Sequence, residues 1–265
     1  MSGISGRRPL ANGFQSIVFD CDSTLADIEG IDELAGNRIG EIRALTSDAM
    51  EGRVPLEEVY GRRLELLQPT RSRVDAIGEM YVERLVPDAK ATVAALIWLA
   101  KDVRVISGGL LPPVLAAATE LGIPAESVRA VRIDFDAKGS YAGFDAASPL
   151  ARSGGKLDVV NSWGLPRPSL LVGDGATDLE ASSGVDAFAA YMGVAFRPAV
   201  AAKADVVLRA QSLATVLALA ADDEDRTRLA GSRWQDLLER GDELLASAGV
   251  NGEDAPKAFG REAGA

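Results

Sequence analysis

Asp20 and Asp22 close an apolar run, Ile17-Val18-Phe19-Asp20-Cys21-Asp22-Ser23-Thr24-Leu25, that delivers two carboxylates, one residue apart, into a polar turn. Strand alternation sends residues i and i+2 to one side, so both carboxylates can face one reacting group while Cys21 points away. Such a pair suits nucleophilic attack and proton transfer. Asp and Ser are also ordinary turn residues, and the pentapeptide alone fits a strand that simply ends in a turn. Three further clusters carry chemistry: Ser107-Gly108-Gly109, Ser153-Gly154-Gly155-Lys156, and Gly173-Asp174-Gly175-Ala176-Thr177-Asp178.

These clusters need a scaffold, and hydrophobic periodicity outlines it. A strand is expected over about residues 14–20. From 28 to 87 the spacing becomes helical, through Ile31, Leu34, Ile39, Ile42, Leu45, Val59, Leu64, Leu67, Val74, Ile77, Tyr81 and Leu85. Breaks at 52–55 and at Gln68-Pro69 divide this block into several helices. Asp88 is placed to cap a helix through Ala100, and 103–106 reads as a short buried strand. A helix over 111–121 tolerates Pro112 and Pro113 in its first turn. Residues 128–135 and 141–144 read as a hairpin, and Lys156 opens another helix. A strand over 168–172 ends in the Asp174 cluster, and shorter apolar runs follow near 187–190 and 205–208. Repeated strand–loop–helix units imply an α/β fold, a parallel sheet flanked by helices, with ligands at the carboxyl ends of its strands. The Asp20, Ser107 and Asp174 clusters all fall at such ends. Beyond residue 222 the chain turns strongly charged, yet Leu229, Trp234, Leu237, Leu238, Leu244 and Leu245 keep a helical stripe expected to pack locally. The first thirteen and last fifteen residues read as loose.

Composition narrows the chemistry. The 265 residues are 47% hydrophobic and 25% charged, enough for a real core. A net charge of -11 argues against a general nucleic-acid binder, and so acidic a surface repels anionic membranes. No window approaches the length of a membrane span, and no signal-length apolar stretch follows Arg7 and Arg8, so the expected location is cytoplasmic. One cysteine excludes an internal disulfide and a multi-cysteine zinc site. The absence of histidine removes Ser-His-Asp and Cys-His nucleophiles and imidazole metal ligands. Catalysis is left to Asp, Glu, Ser, Thr, Lys and Arg, and carboxylate ligands suit magnesium best among metals.

Taken in order, Asp-Cys-Asp-Ser-Thr, Ser-Gly-Gly, a lone Lys156 ahead of a helix and Gly-Asp-Gly-Ala-Thr-Asp resemble the four motifs of haloacid-dehalogenase-type phosphohydrolases. The closer resemblance is to the phosphoserine phosphatase family, over about residues 14–210. It includes Glu-Gly-Ile-Asp-Glu-Leu-Ala at 29–35, Ala-Met-Glu-Gly-Arg-Val-Pro at 49–55, Tyr-Ala-Gly-Phe-Asp at 141–145 and the Ser-Gly-Gly-Lys of 153–156. The resemblance implies a Rossmann-like core over 1–26 and 88–221; by its helical periodicity and its position the block over 27–87 is expected to be an inserted α-helical cap, and the charged C-terminal helix and tail over 222–265 lie outside the resemblance and are assigned no role.

Phosphoryl transfer needs an in-line nucleophile, compensation of charge on the equatorial oxygens, and a proton for the leaving group. Asp20 is the expected nucleophile, forming an aspartyl-phosphate, and Asp22 the group that protonates the departing oxygen and later deprotonates water. As the resemblance implies, Asp20, Asp174 and the backbone carbonyl of Asp22 hold Mg²⁺, while Asp178 supports them through a metal-bound water or by orienting Lys156. The Ser107 hydroxyl and the N–H groups of Gly108 and Gly109 take phosphoryl oxygens, Lys156 adds positive charge, and Thr177 joins the substrate contacts. Lys156 is not a P-loop lysine, because Leu150 and Leu157 stand where that motif needs Gly and Ser or Thr. Glu29 and Arg63 match the family residues that receive a substrate ammonium and carboxylate, with Met50 as an apolar wall; Leu56 departs from the aromatic often found there. The expected activity is Mg²⁺-dependent hydrolysis of a small phosphomonoester, O-phospho-L-serine, closing a serine-biosynthetic route. A related phosphatase or phosphotransferase for another small phosphomonoester, or a degenerate fold serving as a binding module, are the alternatives; a homodimer is left open.

Overall fold

The computed structural model describes residues 13–50 and 56–247, with side chains described throughout except at 46–50 and 56. The Met50 side chain, expected as an apolar wall, therefore lies outside the described residues, as do almost all of the two termini read as loose.

Strand β1 (Ser16–Phe19) is followed by four helices, α1 (Gly30–Ala35), α2 (Ile39–Met50), α3 (Leu56–Leu67) and α4 (Arg71–Glu83). Helix α5 (Ala89–Trp98) leads to β2 (Asp102–Leu110), α6 (Leu111–Glu120), β3 (Val128–Val131), β4 (Ile133–Phe135) and β5 (Tyr141–Phe144). The chain continues through α7 (Gly155–Ser162), β6 (Ser169–Gly173), α8 (Ala176–Ala181), β7 (Ala187–Tyr191), α9 (Pro198–Ala201) and β8 (Val206–Leu208). It then enters α10 (Ala214–Ala220), α11 (Asp223–Leu229) and α12 (Gln235–Ser247).

Six strands form one parallel sheet in the order β3-β2-β1-β6-β7-β8. Strands β1, β6 and β7 are buried at every residue, as parallel strands covered on both faces must be, which is why they read as short continuous apolar runs. Phe19 stands level with Val105 of β2 and Val172 of β6. The residues that emerge just beyond that level are Asp20, Ser107 and Asp174. Because β1 has β2 on one side and β6 on the other, the chain crosses in opposite directions around it, and a crevice opens at the carboxyl ends of these three strands.

The helical block α1–α4 leaves and rejoins the sheet at one place. Val86 N–H donates to Leu25 O at 3.0 Å and Asp27 N–H to Arg84 O at 2.8 Å, so its entry and exit segments are tied side by side. Thr70 caps α4 by accepting from Arg73 N–H, immediately after the Gln68-Pro69 break.

Three local expectations are corrected. Residues 128–135 are not one hairpin strand: β3 pairs in parallel with β2 at the sheet edge, while β4 and β5 form a separate antiparallel pair. Both halves are rich in strand formers, so the local pattern does not reveal the partner change at Arg132. Strand β2 runs on through Ser107-Gly108-Gly109 to Leu110, and its register against β3 shifts there; such irregularities re-aim side chains at functional strand ends. Asp88 occupies the position before α5 in a left-handed conformation and makes no cap bond. Its carboxylate instead accepts from Ser212 Oγ at 2.6 Å and from Arg240 of α12 at 2.7 Å.

The charged C-terminal stretch is part of the packed body. Leu229, Leu237 and Leu238 are buried, and α12 packs along α10. Lys101, just before β2, pairs with Asp225 of α11 at 2.6 Å, with 3% and 6% of the two side chains exposed. Breaking one partner of so buried a pair strands the other charge in a poorly polarisable interior. Asp225→Ala is therefore expected to lower stability by about 3 kcal/mol or more in urea denaturation; a loss well under about 1 kcal/mol, the scale of an exposed pair, refutes that account.

Candidate active site

At the carboxyl ends of β1, β2 and β6 lies a cavity of about 680 Å³. Asp20, Asp22, Glu29, Arg63, Ser107, Gly108, Lys156, Asp174 and Thr177, which the sequence pattern singles out from six separate segments, all line it.

Its floor is a buried charge cluster. Asp20 leaves β1 with its N–H held by Val172 O at 2.9 Å, and its Oδ1 accepts from Lys156 Nζ at 2.8 Å. The same ammonium reaches Asp178 Oδ1 at 2.7 Å, and Asp178 Oδ2 accepts from Gly175 N–H at 3.0 Å. Asp20, Asp178 and Lys156 are all buried. Lys156 reaches this depth because the turn before it brings two backbones together. A Cβ on Gly155 would stand 1.6 Å from Pro149 O, so no larger residue fits at the first position of α7. With both carboxylate oxygens engaged, Asp178 is suited to holding Lys156 in place.

Asp174 follows β6 and is buried; its Oδ2 accepts from Arg197 Nε at 2.6 Å. The other end of that guanidinium reaches Glu29 Oε1 at 3.3 Å, and Glu29, 48% exposed at the cavity mouth, also accepts from Ser23 Oγ at 2.8 Å. Arg197 is a member of the site that the motifs do not contain. It lies in the loop between β7 and α9, and its signal is positional: a charged residue following a buried strand on the ligand side of a parallel sheet.

Ser107 is buried, and its hydroxyl oxygen accepts from Gly109 N–H at 2.9 Å, which engages one of the two glycine N–H groups expected to face the phosphoryl group. Asp22 is gripped from the helical block: Oδ1 accepts from Tyr81 Oη at 2.6 Å and Oδ2 from Gly30 N–H at 3.1 Å. Tyr81 is the second residue that sequence reasoning passes over, because helical periodicity registers it only as one more apolar position. Arg63 lines the cavity and lies over the Tyr60 ring at 5.4 Å, and its buried Nε has no hydrogen-bond partner.

Electrostatics show what the cluster lacks. Burial, reinforced by Asp178 and Asp174, pushes the Asp20 carboxyl well above its ordinary value despite Lys156. Burial also raises Asp22, against the bonds from Tyr81 and Gly30, and lifts Asp174 to about 6 although Arg197 opposes the shift. Burial alone would depress Lys156, but Asp178 and Asp20 outweigh it and hold the ammonium firmly protonated. Carboxylate oxygens of Asp20, Asp174 and Asp178 lie within 4.8 Å of one another. Crowded oxygen donors, two of which, Asp20 and Asp174, burial makes hard to ionise, fit a hard metal cation.

The arrangement can bring a carboxylate nucleophile, a second carboxylate for proton transfer, a fixed ammonium and a metal-ligating cluster to one phosphoryl group. No family model matches the chain. It is 40% identical over 210 residues to the chloroplastic phosphoserine phosphatase of Arabidopsis thaliana, covering 75% of this chain and 70% of that protein. It is 37% identical over 195 residues to the phosphoserine phosphatase of Homo sapiens, covering 72% and 87%. A solved structure described as a substrate-bound phosphoserine phosphatase complex superposes with a TM-score of 0.64 at 25% identity, over 77% of this chain and 96% of that one. Fold, strand-end chemistry and relatives agree: this chain belongs to the phosphoserine phosphatase family of haloacid-dehalogenase-type hydrolases.

Proposed function

We propose that this enzyme hydrolyses O-phospho-L-serine to L-serine and phosphate with Mg²⁺ as its cofactor. The observation that carries the reading is the buried Asp20–Lys156–Asp178 cluster, set beside Asp174 and Ser107 where β1, β2 and β6 end. Asp20 attacks phosphorus, the bond to the serine oxygen breaks, and Asp22 gives that oxygen its proton. Asp22 then takes a proton from the water that attacks the aspartyl-phosphate, releasing phosphate and restoring Asp20. Lys156 offsets charge on the phosphoryl oxygens, which the Ser107 hydroxyl, the Gly108 N–H and Thr177 receive. Asp20, Asp174 and the backbone carbonyl of Asp22 would hold Mg²⁺, which when bound supplies charge neutralisation between the carboxylates and the phosphoryl group. Glu29 receives the substrate ammonium and Arg63 its carboxylate; the place of both side chains in the lining of one cavity supports that assignment.

In this reading residues 1–26 and 88–221 are the catalytic core, 27–87 a cap that carries substrate recognition, and 222–265 a terminal helical addition and tail. The side-by-side entry and exit segments of the helical block support a hinge at that boundary. A cytoplasmic setting belongs to the same proposal and is consistent with a single, buried, unpaired thiol at Cys21. Among the described residues no helix is long and apolar enough to cross a membrane.

A panel of small phosphomonoesters, assayed with Mg²⁺ and with chelator, tests reaction class and substrate together. O-phospho-L-serine is expected to have the highest kcat/KM, with chelator abolishing turnover; a preferred substrate lacking the amino-acid head overturns the specificity, and chelator-resistant turnover the cofactor. Metal binding also has a pH signature. Because the folded-state pKa of Asp174 lies near 6, above its ordinary 3.8, its contribution to stability is full below 3.8 and is lost as pH rises through 6. Mg²⁺ relieves that loss, so the rise in Tm on adding Mg²⁺ is expected to be larger at about pH 7.5 than at about pH 5. Equal rises at both pH values count against Asp174 as a ligand.

A further inference from the structure

Asp22 sits in the loop after β1, yet both donors that fix its carboxylate come from the helical block. Tyr81 of α4, 59 residues away, donates to Oδ1 at 2.6 Å, and the N–H of Gly30, the first residue of α1, donates to Oδ2 at 3.1 Å. The Tyr81 side chain is 1% exposed, so its hydroxyl has no bulk water to turn to and a buried phenol must keep its partner. Gly30 is shaped to the contact: a Cβ there would lie 2.3 Å from the Tyr81 hydroxyl. A carboxylate held at both oxygens cannot rotate about its last side-chain torsion, which is broad when unrestrained. Proton transfer requires the acid to lie within hydrogen-bond reach of the leaving oxygen, so orientation controls it directly.

We propose that Tyr81 is a positioning residue for Asp22, through which docking of the helical block on the core aligns the proton-transferring carboxylate. The Tyr81 hydroxyl donates a hydrogen bond throughout and exchanges no proton with substrate; Asp22 alone passes its proton to the departing alcohol and recovers one from water. The inference rests on the proposed role of Asp22. Its claim beyond that role is that the acid is assembled by α4 and is out of alignment whenever the block lifts away.

The test is dependence on the leaving group. The parameter kcat/KM covers steps through departure of the alcohol, and p-nitrophenolate leaves without a proton whereas the serine alkoxide does not. Tyr81→Phe keeps the ring and deletes only the hydroxyl. It is expected to lower kcat/KM for O-phospho-L-serine about 10- to 100-fold, part of what general acid catalysis contributes, and to change that for p-nitrophenyl phosphate by less than about threefold. Asp22→Asn should show the same selectivity with a larger loss. Gly30→Ala, which drives its methyl group against the hydroxyl, should reproduce the selective loss and add little to Tyr81→Phe in the double variant. A loss shared equally by both substrates in Tyr81→Phe, or no loss, overturns the positioning role while Asp22→Asn stays selective. A nonselective Asp22→Asn instead overturns the role of Asp22 itself. Should Tyr81→Phe not fold, Gly30→Ala decides by the same comparison.

Discussion

Asp20→Asn is expected to lower turnover of O-phospho-L-serine by about 10⁴-fold or more, the scale at which losing a nucleophile removes a whole reaction path. The amide keeps the shape of the side chain and the strand-end position set by the 2.9 Å bond to Val172 O, but it cannot attack phosphorus. Acid quench of the wild-type enzyme during turnover should trap phosphate in a hydroxylamine-sensitive linkage, and the variant should trap none. Such a phosphate on the variant would remove Asp20 as nucleophile. Stability supplies the control. Burial and the neighbouring Asp178 and Asp174 disfavour ionised Asp20, so a neutral side chain relieves repulsion, and Tm at neutral pH should be unchanged or higher. A variant both inactive and much less stable points to misfolding instead.

Lys156→Met carries the second large effect. The ammonium lies 2.8 Å from Asp20 and 2.7 Å from Asp178, with 6% of its side chain exposed. Deleting it leaves two carboxylates facing each other in a medium that screens them poorly. The phosphoryl group also loses a fixed cation, which should cost about 10³-fold in kcat/KM. Asp20, already raised by burial, then loses the cation that opposes that shift and becomes harder still to ionise. For acids whose folded-state pKa is raised, the stabilising contribution is present at low pH and lost as pH rises. The Tm deficit of Lys156→Met relative to wild type should therefore be larger at about pH 8 than at about pH 5. A pH-independent deficit, or wild-type kcat/KM, contradicts the assigned charge role.

Much of the candidate site is legible because the residues that line it are adjacent to strand ends. Asp20, Ser107 and Asp174 follow short apolar runs, and a parallel sheet brings such ends to one edge whatever the details of packing. Lys156 was legible through the glycines ahead of it, which allow the close backbone approach that only glycine permits. Strand partners were less legible. The change from β3 to β4 leaves no mark in composition, because β-propensity reports a fit to any pleated surface and does not name the neighbour. Asp88 illustrates the same limit: the residue type suits a cap, but Ser212 and Arg240 offer its carboxylate stronger partners.

The α/β class, the strand-end clusters and the family resemblance follow from residue type and local spacing alone. Only the tertiary structure decided which charge meets which. Arg197 bridges Asp174 and Glu29 from 23 and 168 residues away, Tyr81 holds Asp22, and Asp225 ties the terminal helices to Lys101 in the core. Periodicity places a side chain on the buried face of its own element. The partner it finds there depends on how elements pack, and the low dielectric of that interior turns such placements into the acidities and orientations on which catalysis depends.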